Sequence, residues 1–131
     1  MYSYEKWMLR YIHHMVKNSG AELVLYSAPS PKNYNYDRDR QVREMAKELN
    51  VDYINMNLKP ELRIDMNRDI LDGGDHVNIS GAEKTTAFFI DYLKRYKLKD
   101  KRGVKKYDDW NKKAKLYKKI TKPLIDNIRS M

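Results

Sequence analysis

Apolar and polar residues follow one another in blocks that predict helices and strands along the chain. Residues 2–19 have the period of an amphipathic helix, because apolar side chains recur every three or four positions. The apolar positions of this helix are Tyr4, Met8, Ile12, Met15 and Val16. Gly20 stands where a helix C-cap belongs, so we predict that the helix ends there.

Two short apolar runs flank a second helical pattern, and together they predict a βαβ unit. Residues 22–27 and residues 51–55 are rich in strand-forming side chains, and the first run ends in a proline-containing loop. Residues 37–49 have helical periodicity, with Asp37 or Asp39 as the expected N-cap. A strand, a helix and a strand in this order predict parallel pairing with a right-handed crossover.

The rest of the chain predicts a long connection and then helices. Residues 56–79 form the connection. Ser80-Gly81-Ala82-Glu83 has the form of a capping box, so a helix is expected to begin there and to end near Tyr96. A further helix is expected to end near Ile120, because Pro123 should interrupt it.

The charge is distributed unevenly. The 131 residues have a net charge of +9, yet residues 94–131 contain 15 Lys or Arg and only 4 Asp or Glu. This length suits one domain with a core of its own. We therefore predict an α/β body over residues 1–97 and a basic helical tail over residues 98–131 that packs on it.

Composition excludes some classes of protein and leaves the compartment unknown. Without cysteine, the chain can form neither disulfides nor a thiolate metal site. No run of about 18 apolar residues occurs, so no transmembrane segment is expected. The first residues lack the continuous apolar stretch of a secretory signal.

Candidate chemistry is concentrated between Asp69 and Glu83. His76 is a candidate general base, because its ordinary pKa lies near neutral pH and a carboxylate can fix its tautomer. Asp72 precedes it by four positions across two glycines and is the expected partner, with Asp75 as the alternative. Asn78 and Ser80 are expected to order the loop and to cap the next helix.

Two other interpretations of this stretch are open. His76 can simply hydrogen-bond the loop while the aspartates are solvated. Asp69, Asp72, Asp75 and His76 can also be considered as metal ligands, but their spacing matches no EF-hand loop and no second histidine is near. We therefore predict no metal and no cofactor.

A resemblance to a known family rests on these residues. Asp72-Gly-Gly-Asp-His76-Val-Asn78-Ile-Ser-Gly81-Ala-Glu-Lys84 resembles the last conserved block of the SGNH/GDSL hydrolases, in which an Asp-x-x-His pair precedes Leu-Asn and Gly-Ala-x-Lys. Residues 22–31 and 51–55 resemble the last two strands of that fold. The tail, with Asp100-Lys-Arg-Gly103 and Tyr107-x-x-Trp110-Asn111, is similar to the ending of many bacterial members.

The resemblance implies the C-terminal half of a flavodoxin-like, three-layer α/β/α domain. It implies a serine esterase or O-acyltransferase, with His76 as base, Asp72 as its orienting partner, and an ester or O-acylated carbohydrate as substrate. Family members are often exported or displayed at the cell surface.

Two departures from the family pattern limit that activity. Asp72 and His76 are separated by three residues, whereas the family has two. The Gly-Asp-Ser nucleophile block and the oxyanion-hole blocks of the family would lie upstream of residue 1, and none of the six serines has a Gly-Asp-Ser context. We therefore expect an incomplete module that is inactive alone and acts with an N-terminal half-domain. An exposed sheet edge would also favour a homo-oligomer.

A different class of function would use the basic tail. Its lysines, with Trp110 and Tyr117 between them, could contact nucleic acid or an anionic cell-envelope polymer. Nucleic acid is the less favoured partner, because lysine greatly outnumbers arginine and no nucleic-acid-binding motif occurs. Alternatively, Trp110, Leu116 and Ile120 pack on the body and the lysines form a solvated face.

Overall fold

The computed structural model describes residues 3–131 and shows an α/β protein with a short parallel sheet. The α/β class predicted from the sequence is therefore confirmed. The helices are α1 (Ser3–Asn18), α2 (Tyr36–Leu49), α3 (Ile79–Leu93) and α4 (Asp108–Ser130), and the strands are β1 (Val24–Ser27), β2 (Asp52–Asn55), β3 (Ile70–Leu71) and β4 (His76–Val77). The predicted start of the first helix at residue 2 lies outside the described residues.

The chain divides into two compact units, residues 1–59 and residues 60–131. The boundary that the sequence predicts, after residue 97, falls inside the second unit, where α3 and α4 contact each other.

The first unit is built on the predicted βαβ arrangement. β1 and β2 pair in parallel, from Val24 opposite Asp52 to Ser27 opposite Asn55, as the two apolar runs predicted. Residues of α2, of β2 and of the 3-10 turn that follows β2 form the core, because the helix places its apolar side against the sheet. The buried apolar side chains are Met45, Ala46, Ile54 and Met56.

Asn35 caps α2, so the predicted N-cap at Asp37 or Asp39 is wrong. The backbone of Asn35 is extended, and its side-chain oxygen accepts a hydrogen bond from the backbone N–H of Arg38. Because this cap starts the helix at Tyr36, Asp37 lies in the first turn and Asp39 turns inward and is buried.

α1 contacts α2 but leaves its aromatic side uncovered. Arg10 forms an exposed ion pair of 2.7 Å with Glu48 of α2. Tyr4, Trp7 and Tyr11 lie along the outer side of α1 with their rings stacked. Tyr4 is one of the apolar positions that predicted this helix, and no residue of Ser3–Asn18 is buried, so that pattern does not mark a buried face.

The second unit contains a β-hairpin that the sequence did not predict. β3 and β4 pair antiparallel, with Ile70 opposite Val77 and Leu71 opposite His76. Each strand has only two residues, too few for an alternating pattern to appear in the sequence. The predicted long connection therefore contains regular structure, and the stretch from Asp69 to Glu83 lies on this hairpin and the start of α3.

α4 is one continuous helix, and the predicted interruption at Pro123 is wrong. A proline in a helix removes one backbone hydrogen bond, but tertiary packing can offset that loss. Here Thr121 and Ile125, on either side of Pro123, are buried, and α4 packs on α3.

The predicted packing of Trp110, Leu116 and Ile120 is also wrong. These side chains are 76%, 57% and 56% exposed, because the helix turns a different side toward α3. Among residues 3–131, no helix has the combined length and apolar character needed to cross a bilayer.

Replacing Met45 with Ala should destabilise the first unit by about 2–5 kcal/mol, because the truncation leaves a cavity in the core. Met45 is 2% exposed, whereas Met15, on the outer side of α1, is 55% exposed. Met15→Ala is therefore the matched control and should change the free energy of unfolding by less than about 0.5 kcal/mol. Urea unfolding of both variants measures the difference. Equal losses would contradict the assignment of this core.

Candidate functional site

A tight hairpin loop presents the candidate base. Asp72, Gly73 and Gly74 all have positive φ angles, of 54°, 61° and 105°. Aspartate and glycine tolerate this left-handed backbone better than other residues. The backbone N–H groups of Gly74 and Asp75 both donate to the carbonyl of Leu71, at 3.0 and 3.1 Å. The loop therefore reverses the direction of the chain within four residues and brings His76 back beside Asp72.

The structure brings His76 together with Asp72. The Nδ1 of His76 lies 3.0 Å from Oδ2 of Asp72, at hydrogen-bond distance, and 4.0 Å from the nearer oxygen of Asp75. The His76 side chain is 69% exposed. Within residues 3–131, no other side chain hydrogen-bonds its Nε2. The arrangement therefore has one ring nitrogen oriented by a carboxylate and the other open to a reactant.

Asp69, considered from the sequence as a metal ligand, belongs instead to the interior. Its carboxylate is 1% exposed and accepts hydrogen bonds from Nζ of Lys84 and from the backbone N–H of Asp65. Lys84 also donates to the carbonyl of Arg63. The ion pair thus joins α3 to the residues that lead into the hairpin.

The environment of Asp69 acts on its pKa in both directions. Burial alone raises the pKa of this carboxyl, because the charged form loses its hydration. The hydrogen bonds from Lys84 and from the backbone N–H of Asp65 outweigh burial, and the pKa lies below its ordinary value of 3.8. Asp69 is therefore charged at neutral pH and unsuited to exchange protons there.

Asn78 caps α3, and the capping box predicted at Ser80 is wrong. The side-chain oxygen of Asn78 accepts hydrogen bonds from the backbone N–H groups of Ser80 and Gly81, at 2.9 and 3.2 Å. Its amide nitrogen donates to the carbonyl of Arg68. The helix starts earlier than predicted because Asn78 satisfies its first N–H groups from two residues upstream of Ser80.

Ser80 and Glu83 contact α4 instead of capping α3. Ser80 is fully buried, and its hydroxyl accepts a hydrogen bond from Nε of Arg129 at 3.2 Å. The same guanidinium donates to Glu83 at 2.7 Å. Ser80 and Glu83, the two ends of the predicted capping box, therefore connect the start of α3 to the end of α4.

Gly81 allows the helix to approach the hairpin closely. A Cβ atom at this position would lie 2.5 Å from the carbonyl oxygen of Asp69 and 3.0 Å from Cβ of Val77. Real Cβ atoms do not approach backbone so closely, so any side chain here would force the hairpin away from α3. The spacing after His76 thus has structural reasons: Asn78 caps α3, Gly81 allows the close approach, and Lys84 pairs with Asp69.

The first unit contains a separate polar cleft of about 250 Å³ at the carboxyl ends of β1 and β2. Asp39 is buried in its wall and accepts hydrogen bonds from Arg43, Tyr53 and Asn55, at 2.6 to 3.1 Å. Burial raises the pKa of Asp39, but these bonds, first of all that from Arg43, bring it below the ordinary value. Burial raises the pKa of Tyr53.

Sequence reasoning missed the roles of Asp39, Asp69 and Lys84. For Asp69 and Lys84 the sequence contains a signal. An acidic residue stands directly before the apolar pair Ile70-Leu71, and a lysine follows in the early part of a helix, which suggests a paired charge. For Asp39 the sequence gives only the spacing of four positions to Arg43 on the same helix, because its other partners, Tyr53 and Asn55, lie on a different element. No group of three or more potential metal ligands occurs in the described part of the chain.

Comparisons of the chain with models of protein families, with curated proteins and with solved structures found no match. The function proposed for this chain therefore rests on the geometry of the site and on the residues themselves.

Neutral His76 should carry its proton on Nδ1, because Asp72 accepts a hydrogen bond from that nitrogen. Long-range ¹H–¹⁵N NMR spectra of the neutral ring would identify the tautomer. Asp72→Ala should remove this preference. Asp75→Ala is the matched control and should leave it intact, since the Asp75 carboxylate is 4.0 Å away. A loss of the preference only in Asp75→Ala would assign the partner to Asp75.

Asp69→Asn should destabilise the protein by about 3 kcal/mol at neutral pH, because it breaks a buried ion pair. The folded-state pKa of Asp69 is depressed, so its stabilisation is present above its ordinary pKa of 3.8 and is lost as the pH falls below that value. The difference between wild type and variant should therefore shrink as the pH falls below 3.8.

Urea unfolding at several pH values measures this effect. Asp91→Asn, on the exposed side of α3, is the control and should cost less than about 1 kcal/mol, because its ion pair with Lys94 is at the surface. A difference for Asp69→Asn that is constant from neutral to acidic pH would contradict the charged state assigned to this carboxyl.

Proposed function

We propose that this chain carries the base of a serine-type acyl hydrolase or O-acyltransferase site, with His76 as the base and Asp72 as its orienting partner. The nucleophile and the oxyanion-hole donors would come from another segment of polypeptide. The observation that carries the proposal is the 3.0 Å hydrogen bond between His76 Nδ1 and Asp72, on a loop that leaves Nε2 open.

The proposed chemistry depends on the two ring nitrogens. As a serine hydroxyl of the second segment attacks the carbonyl carbon of an ester, Nε2 of His76 takes the hydroxyl proton. The negative charge of Asp72 stabilises the imidazolium that forms. The C–O bond of the ester then breaks, and Nε2 returns the proton to the departing alkoxide. Water or an acceptor hydroxyl repeats the sequence on the acyl-enzyme.

The surroundings of His76 support the role of a partial site. His76 forms no hydrogen bond to a serine hydroxyl within residues 3–131, and Ser80, the nearest serine in sequence, is fully buried. General-base catalysis alone contributes about 10²–10⁴-fold, and each missing oxyanion donor costs a further 10²–10³-fold, roughly. The chain by itself should therefore be a very weak esterase.

The fold proposed here is half of a three-layer, flavodoxin-like α/β/α domain of the SGNH type. The resemblance of residues 72–84 to the last block of that family supports this, as does the parallel order of β1 and β2. In the described sheet each of these strands pairs on one side only. A second half-domain, or another copy of the chain, could add strands at the open edges. By the same resemblance, the substrate would be an ester or an O-acylated carbohydrate.

Hydrolysis of p-nitrophenyl acetate tests the proposal. The chain would be assayed alone and together with a polypeptide that supplies a Gly-Asp-Ser segment, such as one encoded immediately upstream. We expect slow hydrolysis by the chain alone and a large gain on mixing. In the mixture His76→Ala should reduce kcat/KM by at least about 10²-fold, because the general base is lost.

His13→Ala is the matched control, since His13 lies on α1 and has no part in the proposed site. It should leave the rate of the mixture unchanged. Asp72→Asn should lower kcat more than Asp75→Asn does. Equal rates for wild type and His76→Ala, both alone and in the mixture, would refute the catalytic role of His76.

A further inference from the structure

α4 has an exposed apolar stripe along one side. Trp110, Tyr117, Ile120 and Leu124 follow one another at intervals of seven, three and four positions, the spacing that places side chains on one side of a helix. Leu116 widens the stripe by one position, and all five side chains are exposed. The packed side of α4 lies next to this stripe and is marked by the buried Thr121 and Ile125. Within residues 3–131 the stripe is therefore uncovered, while the helix itself is held against α3.

Two lysines flank this stripe, and a third, Lys113, lies within it between Trp110 and Tyr117. Lys112 and Lys119 lie four residues before and three residues after Leu116, and Lys113 lies four residues before Tyr117, so each neighbours an apolar side chain on the helix surface. No acidic residue occurs between positions 110 and 125. Within the described residues none of these three lysines forms an ion pair. Their charge is thus available to an external anion.

We infer that α4 is an interfacial helix that binds the surface of an anionic lipid bilayer. Such a surface offers phosphate groups to lysines and, a few ångströms deeper, a zone that accepts Trp, Tyr and aliphatic side chains. The four-carbon stems of the lysines let the charges stay at the headgroups while the stripe is buried. This inference is independent of the acyl-transfer chemistry proposed for His76.

Other occupants fit less of the surface. A soluble polyanion, whether nucleic acid or an anionic polymer, would neutralise the lysines and leave the stripe in water. A second copy of the chain packed stripe to stripe would bring together two helices that each have three unpaired lysines beside the contact. Only the lipid surface matches the charge and the apolar side chains at once.

Vesicle flotation tests the inference with the intact chain. We expect binding to phosphatidylcholine vesicles that contain about one-third phosphatidylglycerol, and weak binding to pure phosphatidylcholine. In a Trp7→Phe background, the fluorescence of Trp110 should shift to the blue and be quenched by brominated acyl chains. The double variant Ile120→Ser/Leu124→Ser should lower the partition coefficient by tenfold or more, roughly.

Two further variants make the result specific. Lys112→Gln/Lys119→Gln should weaken binding to the anionic vesicles by about fivefold per lysine. Ile12→Ser/Met15→Ser removes a comparable exposed apolar pair from α1 and should leave binding unchanged. Circular dichroism verifies that each variant is folded.

Several results would overturn the inference. The first is absence of vesicle binding at about 50 mM salt, where electrostatic attraction is strong. A second is binding that the lysine variant abolishes and the stripe variant leaves intact, since this would indicate a polyanion site. A third is a dimer that only the stripe variant dissociates, with unchanged vesicle binding, which would assign the stripe to a second copy of the chain.

Discussion

The second unit depends on the burial of one charged group, the carboxylate of Asp69. A buried charge is costly unless it is paired and hydrogen-bonded, and Lys84 together with the backbone N–H of Asp65 meets both conditions at the Oδ2 atom of this carboxylate. Because Lys84 lies on α3 and Asp69 at the entry of the hairpin, the pair can form only if helix and hairpin are close. Gly81 permits this close approach of helix and hairpin. Asn78 caps α3, so the helix starts at the position that the ion pair requires.

This arrangement separates the structural residues from the two residues proposed for catalysis within one short stretch. The residues that hold the hairpin on α3 are buried or backbone-directed, whereas Asp72 and His76 are exposed at the loop. A general base needs an orientation that is fixed before the substrate arrives, and such orientation comes from a rigid support. The loop residues with positive φ angles and the Asp69–Lys84 ion pair supply that support. Neither of them occupies the Nε2 atom of His76.

Local and periodic signals made part of this structure predictable, and distant contacts decide the rest. The parallel strands could be predicted because each is an apolar run, and the Asp72–His76 contact because two glycines let the chain turn. Both N-caps were placed too late, since several Asn, Asp and Ser residues compete for each position. β3 and β4 are too short to have a period, and the burial of Asp69 depends on a lysine 15 positions later. Apolar spacing alone cannot tell a covered stripe on α4 from an uncovered one.

Arg129 connects the last turn of α4 to the start of α3 and to the residues that precede the hairpin. Its guanidinium contacts Ser80 and Glu83 in the first turn of α3, and its carbonyl accepts a hydrogen bond from Arg68, three residues after Asp65. Fraying of that turn would release three contacts next to the Asp69 pair. A fusion partner or affinity tag joined directly after residue 131 would therefore disturb the hairpin that carries His76, and a flexible spacer should precede it.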